Sequence, residues 1–411
     1  MTTQLVSSAG SATGEQRRAL SGIAISQLLV LTLWFSAAAV TPQLRTEWNL
    51  TVGEASWLTL AVQIGFVIGA LTIAVTGVAD SVSARRLFSI AALVGAVANG
   101  AVIAVSFSTV NVAYVLRFVT GFALAGVYPS GMKAMAGWFR RGRGMALGVL
   151  VGALTVGSAG PHLIRGIGLE WRGVLLGSTL LAVAGAVMMS VTVSDGPFEV
   201  EASPFSFRHI GAAVKNRGVR LSTYGYLGHM WELYAMWTWT AAFLAASAAA
   251  RGQEDAWVPF ATFTIIAIGG PASYVAGRVA DRRGRTLVAG TAMAISGASA
   301  LATFFVFGRS PLLVVPLFLV WGASVVADSA QFSTMVTETA RAERRGTALT
   351  LQTGLGFLLT LVTIRGVPMF AETFGWQWAF PWLAFGPMIG IVAMVALRRS
   401  PESRLIAAGA S

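Results

Sequence analysis

Long apolar runs recur along the chain, separated by short polar breaks. They predict helices at roughly 20–42, 54–78, 85–107, 109–137, 142–165, 171–193, 219–247, 256–281, 285–307, 311–337, 345–370 and 376–398. Each run approaches or exceeds the ~20 residues that a helix needs to cross a bilayer. In hydrocarbon every backbone polar group must be paired within the segment, and helices achieve that. The first run is too long for a cleaved signal, and a second span follows at once.

Composition agrees. Of 411 residues, 55% are hydrophobic and only 11% charged, less than half the ~25% charge of a soluble domain. Mean hydropathy is +0.70. Twelve spans would use about 240 residues, which the chain can supply. With no cysteine, disulfides, thiolate nucleophiles and Cys-ligated metals are excluded. His162, His209 and His229 are far apart and lack metal-ligand spacing. No cofactor is expected.

The net charge of +12 suggests a nucleic-acid partner only until its distribution is read. With the N-terminus inside, alternate breaks facing the cytoplasm carry 22 of the 29 Lys and Arg residues. The opposite breaks carry only Arg45, Arg165, Arg172, Arg251, Arg309 and Arg365, and Arg117 falls inside a helix. The positive-inside rule places both termini in the cytoplasm and accounts for the charge without a polynucleotide. The expected location is the cytoplasmic (inner) membrane.

The longest break, 194–218, divides the chain. The expected organisation is a cytoplasmic tail 1–19, a six-helix bundle 20–193, a cytoplasmic linker 194–218, a second six-helix bundle 219–398 and a cytoplasmic tail 399–411. The halves repeat. Thr76-Gly-Val-Ala-Asp80-Ser-Val-Ser-Ala-Arg85-Arg86 follows the second run, and Gly277-Arg-Val-Ala-Asp281-Arg-Arg-Gly284-Arg285 follows the eighth. Asp80 and Asp281 are 201 residues apart. Arg143-Gly144 and Arg345-Gly346 each open the next run. Internal repeats of this kind are common in transporters, with the site between repeats near the membrane midplane.

These residues resemble the major facilitator superfamily, whose cytoplasmic signature reads roughly G-x-L-A-D-R-x-G-R-R. Gly277 to Arg285 matches it closely, and the first copy keeps Asp80 and Arg85. Arg117-Phe-Val-Thr-Gly121 is similar to the family's R-x-x-Q-G. Gly148, Gly157 and Gly160-Pro161 echo its antiporter signature imperfectly. The resemblance implies an all-α integral membrane fold of twelve transmembrane helices in two pseudo-symmetric six-helix bundles. It implies a central cavity lined by the first, fourth, seventh and tenth helices. More loosely the chain resembles the bacterial nitrate/nitrite and cyanate permease-like branch, without the Asn-Gly-Gly-ended signature of true nitrate porters.

Ionisable residues inside apolar spans are costly and point to function. Arg117, with Tyr128 eleven residues on, is a candidate for binding an anionic group; the other reading is a structural arginine paired within its bundle. His229 and Glu232 are three apart and share a face. With Asp328 they are candidates for carrying a proton, against a structural role for each. Gln27, Trp34 and Gln331 are further substrate-binding candidates, Trp34 also fitting lipid packing. Asp80, Arg85, Gly277, Asp281 and Arg285 are candidates for a conformational latch, or for topology anchors alone. Glu338 reads as a gate or surface charge, and Arg365 as a residue near the outer surface. Gly144, Gly148 and Gly152, like Gly65 and Gly69, read as helix-packing positions.

The chain therefore reads as a secondary active transporter moving a small organic or inorganic anion with protons by alternating access. The alternatives are a proton-driven drug or metabolite efflux antiporter and, more distantly, a non-transporting membrane sensor. No P-loop and no hydrolase arrangement is present, so an enzyme is not expected. Expected partners are a small-molecule substrate, protons and the lipid bilayer, with no nucleic acid and a monomeric state.

Overall fold

The computed structural model describes residues 14–139, 143–198 and 205–409. Parts of the expected tails and of the 194–218 linker lie outside the described residues. So do the side chains of Asp80 and Arg143 and the surroundings of Gly144. Among the described residues every regular element is helical.

We number the long helical passages α1 to α12 in chain order. In the N-terminal half they are α1 Gly14–Leu31, α2 Val52–Thr76, α3 Ala84–Ala101, α4 Val110–Trp138, α5 Arg143–Gly166 and α6 Trp171–Thr192. In the C-terminal half they are α7 Arg217–Ala249, α8 Val258–Arg283, α9 Arg285–Val306, α10 Pro311–Thr339, α11 Arg345–Phe374 and α12 Phe385–Arg398. Among the described residues ten helices are long and apolar enough to cross a membrane. Those ten do not include α1 and α7.

Local chemistry sets the helix ends. Thr51 and Glu54 form a capping box at the start of α2, and Gly77 ends α2 in a left-handed conformation at φ 64°. Asn216 caps α7 and Ser310 caps α10. The surface is apolar where a soluble protein would be polar: Leu312 is 84% exposed and Val97 72%, while Arg117 is 0% exposed. The chain is an integral membrane protein.

Three passages are interrupted. Residues 32–37 leave the helical path after α1 as turns. The interruption in α8 falls at Ile268, just before Gly269-Gly270, and that in α10 at Asp328. The expected helix at 376–398 begins instead as two short 3₁₀ turns, Trp376–Trp378 and Pro381–Ala384.

The repeat seen in the sequence is also a repeat of packing. At Gly121 in α4 a side chain would collide with the Val62 carbonyl of α2. At Gly322 in α10, 201 residues on, it would collide with the Ile265 carbonyl of α8. Glycine permits this backbone-to-backbone approach in both halves. Gly65 and Gly69 serve the same α2–α4 crossing. The halves meet where α5 lies on α8 and α2 on α11. Gly152 of α5 faces Gly270 of α8, where an added Cβ on Gly270 would stand 3.2 Å from the Gly152 Cα.

Candidate functional site

The break after α1 is held open by a side chain from α4. Arg117 Nε donates to the Leu58 carbonyl at 3.2 Å. Its Nη1 donates to the Leu33 carbonyl at 3.1 Å, to Ser36 Oγ at 3.1 Å and to Asn99 Oδ1 at 2.8 Å. Its Nη2 reaches the Leu33 and Trp34 carbonyls at 3.1 and 2.8 Å. Carbonyls that a continuous helix would pair internally thus find donors in the guanidinium fork. Asn99 is fixed in turn by the Leu175 carbonyl and by Thr179. All three guanidinium nitrogens of Arg117 donate to protein oxygens, and Tyr128 is not among its partners.

The C-terminal half holds a buried carboxylate in the matching helices. Glu232 of α7 is 1% exposed. Its Oε1 accepts from Trp321 Nε1 of α10 at 2.6 Å, and its Oε2 from Ser296 Oγ of α9 at 2.7 Å. Both donors are neutral, and none of the ion pairs among the described residues includes Glu232. His229, on the same helix, goes to a different partner. Its Nδ1 lies 2.8 Å from Asp328 Oδ1 at the break in α10. Ser329 Oγ lies 3.0 Å from the His229 Nε2. His229 and Glu232 share a helix face, as their spacing predicts, yet each serves its own polar group.

Between the halves stands a cluster of rings. Trp34 of the α1 break lies 4.9 Å from Phe66 of α2, 5.8 Å from Tyr234 of α7 and 5.7 Å from Phe357 of α11, by ring centroids. Phe66 and Phe357 are 4.5 Å apart. Phe35 meets Tyr234 and Trp237. Trp34 is therefore in the interior, facing neither lipid nor solvent.

Three further buried polar residues, Gln63, Gln352 and Trp237, were not expected from the sequence. Both amide atoms of Gln63 in α2 and of Gln352 in α11 are buried without a hydrogen-bond partner, as are the indole nitrogens of Trp34 and Trp237. Gln63 is three residues from Phe66 and shares its helix face. Burying an amide without a partner costs about 1–3 kcal/mol by mutational measure. An uncharged amide inside an apolar run was the available signal.

The other expected residues are dispersed. Gln27 donates to the Leu150 carbonyl at 3.1 Å and lies against Gly131, wedged between α1, α4 and α5. Gln331 accepts from Arg285 Nη1 at 3.3 Å, which puts it with the latch candidates. Arg285 also contacts Asp281 at 3.0 Å and Glu338 at 3.1 Å, so it ties together the ends of α8, α9 and α10. Glu338 accepts as well from the backbone N–H of Ala407 at 3.2 Å, in the C-terminal tail. In the first copy of the motif Arg85 donates to the Ser190 carbonyl at 2.9 Å, and the Asp80 side chain lies outside the described residues. Gly277 has open space where a Cβ would stand.

Comparison with known proteins fits this architecture. The sequence profile of the Major Facilitator Superfamily matches residues 23–359. Among solved structures, the nucleoside transporter NupG is similar with a TM-score of 0.68 and 16% identity, over 93% of this chain and 99% of that one. A bacterial homolog of the human lysosomal transporter Spinster aligns with a TM-score of 0.64 and 14% identity, over 94% and 96%. The human organic anion transporter MFSD10 (TETRAN) aligns with a TM-score of 0.65 and 15% identity, over 92% and 99%. At these identities the likeness is one of fold. No curated protein sequence matches the chain.

Proposed function

Because the chain belongs to the Major Facilitator Superfamily of transporters, we propose that it moves a small organic solute by proton-coupled alternating access. The two six-helix bundles, 20–193 and 219–398, rock about the aromatic cluster at Trp34, Phe66, Tyr234 and Phe357. The protein works in the inner membrane with both termini cytoplasmic, as its arginine distribution supports.

The observation that carries proton coupling is Glu232, a carboxylate 1% exposed that accepts hydrogen bonds from the neutral Trp321 and Ser296. A buried carboxylate without a cation is costly as an anion, and taking up a proton removes that cost. Asp328 and His229, at the break in α10, form the second proton-handling group. Interrupted helices near the midplane are where transporters place such sites.

Recognition falls to the unpartnered amides and indole N–H groups of Gln63, Gln352, Trp34 and Trp237. An inorganic anion of the nitrate or cyanate kind would need a guanidinium to spare, and Arg117 commits all three nitrogens to the protein. We assign Arg117 to positioning Trp34. The solute that fits has a flat face for the rings and a hydrogen-bonding edge for the amides, anionic or neutral. Nucleosides, named for one of the similar structures, have this form; that likeness at 16% identity supports the fold and not the substrate.

A second reading is efflux of a lipophilic cation, favoured by the density of aromatic faces. Uptake into proteoliposomes separates the two. We expect accumulation of a planar organic solute under an inward proton gradient. Glu232→Gln abolishes that accumulation and retains solute exchange. Gradient-driven uptake at wild-type rate in Glu232→Gln overturns the proton role of Glu232, and proton-driven extrusion of lipophilic cations with no solute uptake establishes the second reading.

A further inference from the structure

A groove of about 510 Å³ runs along the membrane-facing side of α11, lined by Leu361, Val362, Arg365, Met369, Phe370 and Trp382. Its size falls in the range of small-ligand sites. Val362 is 54% exposed and Met369 53%, and α11 belongs to an apolar span, so the groove opens to lipid. Phe370 and Trp382 stack at 4.9 Å with 9° between their planes and form one flat wall. The Trp382 N–H is spent on the Ala379 carbonyl at 2.8 Å. The polar feature left in the groove is Arg365.

Arg365 lies in the half of α11 remote from the arginine-rich breaks, and its guanidinium lies on Gly53, the second residue of α2. A Cβ at Gly53 would stand 2.7 Å from either Nη. The long side chain thus brings its charge to the helix end, where the bilayer interface lies. Its Nη1 is buried and has no hydrogen-bond partner. No carboxylate among the described residues pairs with it. A cation at headgroup depth, at the edge of an apolar groove open to lipid, complements one molecule that the bilayer supplies.

We propose that this groove binds a phospholipid, with its phosphate on Arg365 and the start of an acyl chain against Phe370, Met369 and Val362. The guanidinium offers a charge-assisted hydrogen bond to a phosphate oxygen. The lining of the groove belongs to the C-terminal half, and Arg365 alone reaches across to Gly53 of α2. This proposal stands apart from proton coupling and from the solute.

The test uses the full chain, delipidated in detergent and titrated with phosphatidylglycerol by native mass spectrometry. The arms are diacylglycerol of the same chains and inorganic phosphate. We expect phosphatidylglycerol to bind more tightly than diacylglycerol, and Arg365→Gln to weaken it about five-fold. Val362→Trp, at an exposed position that fills the groove, weakens both lipids and covers the case in which Arg365→Gln does not fold. Wild-type phosphatidylglycerol affinity in either folded variant overturns the proposal. So does inorganic phosphate that displaces the lipid at equal concentration, which marks a free-anion site.

Discussion

Arg117 donates to the main-chain oxygen of Trp34 at 2.8 Å, so a cation from α4 replaces the helical turn that α1 lacks. The geometry is a fork: Nε on α2, Nη1 and Nη2 on the break. Lysine keeps the charge but offers a compact ammonium without that fork. Arg117→Lys therefore leaves buried carbonyls unpaired, at a cost of about 1–3 kcal/mol each. We expect the melting temperature in detergent to fall by several degrees in Arg117→Lys and further in Arg117→Ala. A variant that melts like the wild type but no longer binds solute would return Arg117 to the binding site.

Trp34 tests the recognition groups with two readouts of opposite sign. Trp34→Phe keeps a ring beside Phe66 and Phe357 and removes an N–H that is buried without a partner. Removing an unpaired donor does not weaken the solute-free protein. If that N–H donates to the solute, its loss costs about 1 kcal/mol, or about a five-fold rise in KM. The expected pattern is an unchanged or higher melting temperature with weaker uptake. Gln63→Leu should behave alike. Loss of stability with unchanged KM would make both residues packing elements.

Glu338 joins the arginine cluster to the C-terminal tail, accepting from Arg285 at 3.1 Å and from the Ala407 N–H at 3.2 Å. Ile406 beside it is fully buried. Glu338→Gln exchanges a charged acceptor for a neutral one, and such bonds are worth about 1.5–3 kcal/mol at most. Both side chains are partly exposed, 14% for Arg285 and 24% for Glu338, so the lower end applies. Hydrogen exchange at Ala407 should quicken about tenfold. Asp281→Asn is the control: its side chain is 62% exposed, and a surface pair contributes about 0–1 kcal/mol. Equal quickening in both variants would show that the tail does not depend on Glu338.

The helices were legible because apolar length is a first-order signal, and the arginine cluster because its motif is local. Asp281 and Arg285 are four residues apart and pair across one helix joint. The break after α1 was illegible. Thr32-Leu-Trp-Phe-Ser-Ala37 contains neither glycine nor proline, and the cause of its unwinding is a side chain three helices away. Gln63, Gln352 and Trp237 carry no formal charge, so charge does not set them apart in the sequence, whereas the costly feature here is an uncharged polar atom without a partner. Gln331, a substrate-binding candidate by sequence, accepts from Arg285. Spacing fixes a helix face but not which neighbour that face meets.

Gly121 and Gly277 are both motif glycines, and the structure separates them. In α4 a methyl on Gly121 would collide with the Val62 main-chain oxygen. Backbone cannot move aside as a side chain can, so α2 and α4 must part, at about 1–3 kcal/mol or more. Gly322→Ala meets the Ile265 carbonyl in the same way, and the repeat predicts the same loss. Gly277, inside the helix Gly269–Arg283, meets nothing within 4 Å. Alanine there gains about 0.5–1 kcal/mol of helix propensity. We therefore expect Gly277→Ala to melt at or above the wild type, and Gly121→Ala and Gly322→Ala well below it. A lower melting temperature for Gly277→Ala would contradict the open space seen here. Slower transport at full stability would instead place the close approach of Gly277 in the opposite conformation of the cycle.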